Sequence, residues 1–327
     1  MLDVKFYEAF EEEAARLRAL LPTRVRSAFT GKTIQEEGDR ELPARLISLR
    51  TQSLIPAEWV ATRAPAVAGI LSRTTGYDHV LRQRDALGFD LPCGYLPIYC
   101  SRAVAEQALT LWMALLRRLP RQIENFPRFD RNGLTGAECA GKTLVVVGVG
   151  NIGSEIAHIG QGLGMRVIGV DLVHKHSFVD YAPIEEALPQ ADIVVSAMNL
   201  TKSNRGYFSE ECLLRAPRGA IFVNVARGEL SPAGGLLALL ERGHLAAVGL
   251  DVFDHESEVA VAMRTGRASD DPETAAVLAL ASRPDTILTP HNAFNTAEAV
   301  ERKASQSVEQ VESFLKTQEF VWPVPDE

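Results

Sequence analysis

The chain has 327 residues, of which 46% are hydrophobic and 23% are charged, and its net charge is −8. This length and composition are typical of a globular protein with two domains and exclude an intrinsically disordered chain. The acidic balance argues against nucleic acid or an anionic membrane as the main partner, because both favour a basic protein face. The composition therefore favours small molecules or other proteins as partners.

The N-terminal residues, the hydropathy pattern and the cysteine spacing all favour a cytoplasmic location. The first residues, MLDVKFYEAFEEEAARL, carry acids where a secretory signal peptide would carry basic and then apolar residues. No uncharged apolar stretch reaches the length of about 18 residues that a membrane-spanning helix needs. Four cysteines without Cys-x-x-Cys spacing suggest neither a zinc site nor a disulfide framework: Cys93, Cys100, Cys139 and Cys212. We therefore expect a soluble cytoplasmic protein without a bound metal.

The first hundred residues alternate between strand-like and helix-like patterns. Strands are predicted at 2–7, 24–29, 45–49 and 67–72, and helices at 11–21 and 57–63. This alternation is typical of a parallel α/β sheet. A helix at 103–119 is apolar over most of its surface, which indicates burial on several sides, as at a subunit or domain contact. It is predicted to end at Pro120.

A buried strand at 142–147 runs into a glycine-rich turn, Gly148-Val-Gly150-Asn-Ile-Gly153, which opens a predicted helix at Asn151. In this setting the first glycine makes the tight turn, the second admits a pyrophosphate to the backbone, and the third permits close helix packing. The start of the helix supplies N–H groups for phosphate. We expect Gly148, Gly150, Asn151, Ile152 and Gly153 to bind a dinucleotide.

The next predicted strand, 166–170, ends at Asp171, about 20 residues after the first glycine, where a ribose-binding acid belongs. The carboxylate can accept hydrogen bonds from the adenosine ribose, whereas the 2′-phosphate of NADP would bring like charges together. The sequence therefore favours NAD. His174, Lys175 and His176 follow, and this basic cluster either softens the exclusion of NADP or forms a solvated loop.

Further strands at 193–198, 220–225, 247–252 and 287–289, with a helix at 236–242, complete a doubly wound parallel sheet. The predicted fold class is α/β, with two Rossmann-like or flavodoxin-like domains and a cleft between them. Residues 1–100 would form a substrate-binding domain, completed by 292–327 with a last helix at 296–317. Residues 101–291 would form the NAD-binding domain, in which 258–282 is predicted as a helix with loops.

Three strand ends carry groups suited to catalysis, and ligands bind at the carboxyl ends of such strands. The segments are Asn224-Val-Ala-Arg227-Gly228, Gly249-Leu-Asp251-Val-Phe-Asp-His-Glu256 and Thr289-Pro-His291-Asn-Ala-Phe294. An imidazole can donate a proton, a carboxylate beside it can hold it charged and oriented, and a guanidinium fork can bind a carboxylate. Each residue type alone is more often a surface group, but together Arg227, Glu256 and His291 predict an acid–base site.

These segments resemble the D-2-hydroxyacid dehydrogenase family, in which ARG, DVFxxE and PH motifs supply an Arg, a Glu and a His to the active site. The resemblance covers nearly the whole chain and includes Ser72-Arg-Thr-Thr-Gly76-Tyr-Asp78-His, similar to the family's substrate loop. The chain is most similar to the D-lactate dehydrogenase branch, because Phe294 follows the PHNA segment and a long segment separates Glu256 from His291.

The resemblance implies an NAD-dependent enzyme that reduces a small, pyruvate-like 2-oxo acid to the D-2-hydroxy acid. His291 with Glu256 would be the acid–base relay, and Arg227 would bind the substrate. It further implies a homodimer, consistent with the apolar helix that contains residues 104–116. The implied substrate-binding residues are Thr75, Gly76, Tyr99 and Phe294. The implied cofactor-binding residues are Met198, Asn199, Asn204, Val225, Ala226 and, near the nicotinamide carboxamide, Asp251.

Two departures from the family pattern leave the substrate open. Asn199 stands where the family often has proline, and Arg102 stands where a smaller or neutral side chain is usual. If Arg102, Arg50 or Gln52 faced the cleft, a more polar or diacid substrate would be favoured; otherwise these side chains are solvated. Hydroxypyruvate, glyoxylate, a branched 2-oxo acid and phosphite remain alternatives. So does an NAD-sensing interaction protein, because corepressors of the same family can retain the three catalytic residues.

Overall fold

The computed structural model describes residues 1–39, 41–61 and 67–325. The chain forms two compact units. The first contains Met1–Cys100 and the chain from Asn295 onward, and the second is Ser101–Phe294. Both units are α/β with parallel sheets, as predicted.

The first unit is built on five parallel strands with order β2-β1-β3-β4-β5. Its strands are β1 Leu2–Phe6, β2 Ser27–Phe29, β3 Ala44–Leu49, β4 Gly69–Ser72 and β5 Cys93–Gly94, and its first helices are α1 Glu11–Leu20, α2 Ile34–Glu37 and α3 Asp78–Leu87. The chain leaves β1 for one edge and then crosses back to β3, so the strand order reverses between β1 and β3. That reversal marks a ligand-binding position in open α/β sheets.

The predicted helix at 57–63 is wrong in length. Only Ala57–Trp59 forms a single 3₁₀ turn, and Thr62 and Arg63 lie outside the described residues. The indole of Trp59 is buried. The backbone carbonyl of Trp59 accepts a hydrogen bond from the backbone N–H of Val67. This acceptor is therefore unavailable to a following helical turn, and tertiary packing overrides the local helical pattern.

The second unit is built on seven parallel strands with order β12-β11-β10-β9-β6-β7-β8. Its strands are β6 Thr143–Val147, β7 Arg166–Val170, β8 Asp180–Tyr181, β9 Ile193–Ser196, β10 Ala220–Asn224, β11 Leu245–Leu250 and β12 Thr286–Leu288. Its helices are α4 Ser101–Leu116, α5 Leu119–Asn125, α6 Asn151–Gly162, α7 Ile184–Ala187, α8 Glu210–Leu213, α9 Ala233–Glu241, α10 Glu256–Thr265 and α11 Pro272–Ala281. The strand order reverses between β6 and β9, so the end of β6 carries the nucleotide turn at the expected place.

Pro120 does not end α4. The helix stops at Leu116, Arg118 takes a left-handed conformation, and α5 begins at Leu119 with Pro120 in its first turn. Proline is tolerated there because the first-turn N–H groups have no partner within the helix. The apolar face of α4 packs within its own unit on α6, β10 and β11. The apolar character of this helix is thus accounted for without a partner subunit.

The last helix, α12 Ala297–Thr317, belongs to the first unit, where it packs on α1 and β4. Its Thr296 cap accepts a hydrogen bond from the N–H of Ala299. The contact with β4 is close, because a Cβ added at Gly69 would lie 2.4 Å from Cζ of Phe314. In the described part of the chain, every helix is too short or too polar to span a bilayer.

Candidate active site

The turn after β6 has the geometry of a phosphate-binding loop. Gly148 has φ +89°, and a Cβ there would lie 2.4 Å from Cα of Met198. A Cβ at Gly153 would lie 1.9 Å from the carbonyl oxygen of Gly148. At Gly150, by contrast, no atom lies within 4 Å of the position a Cβ would take. Two glycines therefore make the turn possible, and the third leaves open space beside the backbone.

That open space lies at the start of α6. Gly150 is the N-cap residue and has no side chain to cap the first helical turn, which contains Asn151, Ile152 and Gly153. N–H groups at a helix start attract an anion, and the pyrophosphate of a dinucleotide is the anion that this loop type binds. The residues present therefore fit NAD.

Asp171 follows β7 and contacts the same turn. One carboxylate oxygen accepts a hydrogen bond from the N–H of Val149 at 2.6 Å, and the other accepts from the N–H of Val173 at 3.1 Å. The carboxylate is thus held beside the glycine turn. In the basic cluster that follows, His174 stacks on the ring of Tyr181 at 4.3 Å, while Lys175 is exposed.

Replacing Asp171 with alanine is expected to narrow the preference for NADH over NADPH by about tenfold or more, because the like-charge conflict with a 2′-phosphate is removed. Dissociation constants of both nucleotides, measured by fluorescence, check this. Asp180→Ala removes a carboxylate from the exposed start of β8 and is the matched control. An unchanged preference in the Asp171 variant would assign selectivity to another group.

Arg227 is presented by a fold of the chain after β10. Asn224, fully buried at the end of that strand, donates from its amide nitrogen to the Arg227 carbonyl and to Oγ of Ser231, both at 2.8 Å. Its amide oxygen accepts from the N–H of Ala226 at 3.0 Å. The Arg227 guanidinium is half-buried, and Nη1 donates to the Ala226 carbonyl at 2.8 Å. Asn224 therefore fixes the backbone turn that carries Arg227.

The turn after β10 packs directly on the turn after β11. A Cβ added at Gly228 would lie only 1.8 Å from the carbonyl carbon of Phe253. The glycine that follows Arg227 is therefore required for contact between the two turns. Glu256 lies only three residues beyond Phe253, so this packing brings the Arg227 and Glu256 segments to the same edge of the sheet.

His291 and Glu256 form a direct pair. Nδ1 of His291 lies 2.8 Å from Oε1 and 3.0 Å from Oε2 of Glu256, and the two side chains are 29% and 27% exposed. Glu256 opens α10, and its Oε1 accepts from the N–H of Phe253 at 3.4 Å. With Nδ1 on the carboxylate, Nε2 lies on the opposite side of the ring. This arrangement can orient an imidazole.

The loop that carries His291 is held by Asp251. This carboxylate is 1% exposed and accepts hydrogen bonds from Oγ1 of Thr289 at 2.5 Å, the N–H of Asn292 at 3.0 Å and the N–H of Ala293 at 2.8 Å. Burial raises the pKa of Asp251, while these hydrogen bonds act in the opposite direction. Its observed contacts position the loop that carries His291, and its role toward the nicotinamide carboxamide stays a prediction.

Backbone geometry at His291 reflects this constraint. The residue has φ +50°, which is uncommon for a side chain other than glycine. Its N–H donates to the Thr289 carbonyl at 2.9 Å, which closes a tight turn next to the Asp251 contacts. Hydrogen bonds of the backbone at and directly after His291 therefore hold the residue in this conformation.

The other predicted cofactor residues lie at the same carboxyl edge of the seven-stranded sheet. Met198 and Asn199 follow β9, where the side chain of Asn204 donates to the Asn199 carbonyl at 2.8 Å. Val225 and Ala226 are buried directly after β10. Their contacts with a nucleotide stay predictions, but the fold brings these loop segments to the edge that the glycine turn occupies.

The predicted substrate residues divide between the units. Thr75, Gly76 and Tyr99 belong to the first unit, and Phe294 is the last residue of the second. Oγ1 of Thr75 lies 3.4 Å from Sγ of Cys100, and Tyr99 is 4% exposed. Burial raises the pKa of the Tyr99 hydroxyl well above its usual range. The hydroxyl therefore stays protonated and can donate a hydrogen bond.

Arg102 is an exposed ion-pairing residue. Its Nε donates to Glu106 at 2.7 Å and its Nη1 donates to Glu155 at 3.3 Å. The hydrogen bond to Glu106 is the main reason that its pKa is raised. Both partners belong to the second unit, so the solvated alternative for Arg102 is supported.

Asn224 and Thr289 support the site, although the sequence predicts no role for either residue. Each is a polar residue at the end of an apolar strand, and each hydrogen-bonds to the turn that carries a candidate catalytic group. Gln107 on α4 also donates to Oγ1 of Thr289, at 3.3 Å. The polar strand ends were visible in the sequence, but their hydrogen-bond partners were not.

Comparison with known proteins agrees with this geometry. The sequence profile of the D-isomer specific 2-hydroxyacid dehydrogenase, NAD binding domain, matches residues 109–293. The chain belongs to the D-isomer specific 2-hydroxyacid dehydrogenase family. Members of this family are NAD-dependent oxidoreductases, and the second unit is an NAD-binding domain.

Relatives in sequence and structure cover most of the chain. The 2-hydroxyacid dehydrogenase A of Aspergillus oryzae is 31% identical over 77% of this chain and 73% of its own length. The glyoxylate reductase of Korarchaeum cryptofilum is 30% identical over 83% and 79%. The D-lactate dehydrogenase of Aquifex aeolicus, solved with NAD and lactic acid, superposes with a TM-score of 0.84 at 26% identity over 99% of this chain and 100% of that one.

Proposed function

We propose that this dehydrogenase reduces a small, pyruvate-like 2-oxo acid to the corresponding D-2-hydroxy acid. The observation that carries the proposal is the His291–Glu256 pair at 2.8 Å, at the same carboxyl edge of the sheet as Arg227. NADH, when bound, supplies the hydride that this reaction needs. The remaining requirement is a proton for the developing alkoxide, and the chain's own side chains supply it.

His291 is the proposed proton donor. Its Nδ1 is engaged by Glu256, so Nε2 is the nitrogen available to a substrate oxygen. A histidine can hold a proton near neutral pH and release it in the transition state. The Glu256 carboxylate fixes the orientation of the imidazole ring, while Asp251 fixes the backbone of the same loop.

Arg227 is the proposed substrate-binding cation. A planar guanidinium presents parallel N–H groups that match a carboxylate, and it also stabilises negative charge that develops on the carbonyl oxygen. Thr75 and Gly76 are proposed to offer backbone N–H groups to the substrate carboxylate, and Tyr99 and Phe294 to contribute a hydroxyl or an apolar wall. These roles extend the family resemblance to individual residues of this chain.

A substrate panel tests the proposal. NADH oxidation should be observed with one or more of pyruvate, hydroxypyruvate, glyoxylate, phenylpyruvate and oxaloacetate, and the rank order of kcat/KM would name the substrate class. A protein that binds NADH but oxidises it with none of these acids would contradict the proposal and favour a nucleotide-sensing role.

We also propose a cytoplasmic homodimer. The cytoplasmic location is compatible with four free thiols. The sequence links the dimer to the apolar helix α4, but α4 is packed within its own unit. The support for a dimer comes instead from α5 and the residues that follow it. Leu119, Ile123, Phe126 and Phe129 are between 44% and 74% exposed. Apolar side chains clustered in this way are typical of a self-association surface.

Replacing Ile123 and Phe126 together with glutamate is therefore expected to convert a dimer to a monomer, because two charges would be buried without partners at the contact. Sedimentation velocity at several concentrations checks the mass. Val261→Glu places the same charge at a 57% exposed apolar position on α10 and is the matched control. A wild-type protein that sediments as a monomer would overturn the dimer proposal.

A further inference from the structure

The strand order of the first unit reverses between β1 and β3, and open α/β sheets bind ligands at such reversals. The loops that follow these strands are joined by Glu8, which has φ +53°. Its Oε2 accepts from the N–H groups of Arg50 and Ser53, and its Oε1 accepts from the N–H of Gln52, each at 3.0 Å. The Glu8 carboxylate thus holds the loop after β3 in place, with Arg50 at the carboxyl end of the strand.

A buried charge cluster lies next to these loops. Arg73, fully buried after β4, donates from Nε to Oε1 of Glu13 at 2.9 Å, from Nη1 to Oγ of Ser48 at 3.0 Å and from Nη2 to the Tyr7 carbonyl at 2.7 Å. Nζ of Lys303, on α12, lies 2.9 Å from the same Glu13 oxygen. Two fully buried cations therefore share one buried carboxylate, and the cluster has an excess of positive charge.

Burial of this excess charge is costly. It lowers the pKa of Lys303 to about 7, even though Glu13 acts in the opposite direction. Glu13 itself would be raised by burial, but Arg73 and Lys303 reverse this and lower its pKa to about 2. Arg50 and Arg73 act in the same direction as burial on the pKa of Lys303, so positive charge predominates around its ammonium group. An anion bound beside the cluster would restore the charge balance.

Arg50 is the member of this charged group that reaches solvent. It is half-buried, and its Cζ lies 5.7 Å from the ring centroid of Phe10. Nζ of Lys303 lies 5.5 Å from the same ring and 5.8 Å from the ring of Tyr99. Arg50 and the buried cluster therefore meet at the Phe10 ring, and Lys303 also contacts the ring of Tyr99, a proposed substrate residue.

We infer that the first unit selects a substrate with a second carboxylate, a 2-oxo dicarboxylic acid, and that Arg50 binds the distal carboxylate. The inference rests on the proposed function and specifies its substrate class. A guanidinium fork matches a carboxylate with two parallel hydrogen bonds, and the Arg73–Lys303 cluster adds attraction at longer range. Phe10 and Tyr99 would provide the apolar wall for the intervening carbons.

Pairs of substrates that differ only in the distal carboxylate test the inference. We compare oxaloacetate with 2-oxobutanoate and 2-oxoglutarate with 2-oxopentanoate, using kcat/KM for NADH oxidation. The wild-type enzyme should favour the diacid of at least one pair by about tenfold or more. Arg50→Met should lower this diacid-to-monoacid ratio about 100-fold, because a charged hydrogen-bonding partner is lost. Arg50→Lys should lower it less, about tenfold, because the charge remains.

Arg45→Met is the matched control, because Arg45 lies exposed on the same strand at its opposite end. The diacid-to-monoacid ratio of kcat/KM in the Arg45→Met variant should equal that of the wild-type enzyme. A wild-type enzyme that reduces monoacids as well as diacids, or an unchanged ratio in both Arg50 variants, would overturn the inference and leave the proposed function intact. Absence of turnover with every 2-oxo acid would instead overturn the proposed function.

Discussion

Replacing His291 with glutamine is expected to lower kcat for 2-oxo acid reduction by about 10²–10⁴-fold, the usual contribution of a positioned general acid. Glutamine can occupy the space and hydrogen-bond to Glu256, but it cannot release a proton to an alkoxide. The reaction should be followed by NADH oxidation at saturating cofactor. Fluorescence titration of NADH into the variant should give a dissociation constant within about threefold of wild type, because the glycine turn and Asp171 are untouched.

His255 supplies the matched control for this substitution. It is an exposed neighbour of Glu256, and its Nδ1 lies 3.0 Å from a carboxylate oxygen of Asp271. His255→Gln therefore removes a paired imidazole from the same segment without touching the His291–Glu256 contact. Equal losses of kcat in the two variants, or full activity in His291→Gln, would contradict the assignment of His291 as the acid.

Replacing Arg227 with lysine is expected to lower kcat/KM for the 2-oxo acid by about 10²–10³-fold, comparable to the loss of a preorganised donor from an oxyanion site. The positive charge survives, but an ammonium cannot make two parallel hydrogen bonds to a carboxylate and a carbonyl oxygen. The loss should fall on both kcat and kcat/KM, because the interaction strengthens as negative charge develops on the oxygen.

The control is Arg205→Lys at the same edge of the sheet. Arg205 is exposed, and its guanidinium lies 3.7 Å from Glu229 and 3.4 Å from Asp254. Surface ion pairs of this kind contribute little, so this variant should keep kcat/KM within about threefold. An Arg227→Lys enzyme with wild-type kcat/KM would remove Arg227 from the proposed mechanism.

Much of the fold could be predicted because buried parallel strands are continuous apolar runs. The strand 166–170 was predicted with its observed bounds, and the glycine turn located the nucleotide-binding strand beside it. The errors have tertiary causes. The pattern at 57–63 is helical, but packing of Trp59 stops it after one turn. Pro120 is compatible with a helix start as well as a helix end, and local sequence does not distinguish the two.

The candidate site was predictable in its residue types and less so in its contacts. His291 and Glu256 came from separate motifs, and the structure brings their side chains together. The predicted approach of Asp251 to the cofactor stays a prediction, and its carboxylate hydrogen-bonds to the loop that carries His291. The Glu13–Arg73–Lys303 cluster joins three distant segments. In the sequence, the cluster is indicated only by Lys303, a charged residue on the apolar face of α12.

The central claim is that the chain reduces a 2-oxo acid with D-stereochemistry. The most direct measurement incubates the wild-type protein with NADH and the best substrate of the panel, and then resolves the product on a chiral column. We expect NADH oxidation with stoichiometric formation of the D-2-hydroxy acid. Formation of the L-enantiomer, or of no hydroxy acid at all, would contradict it.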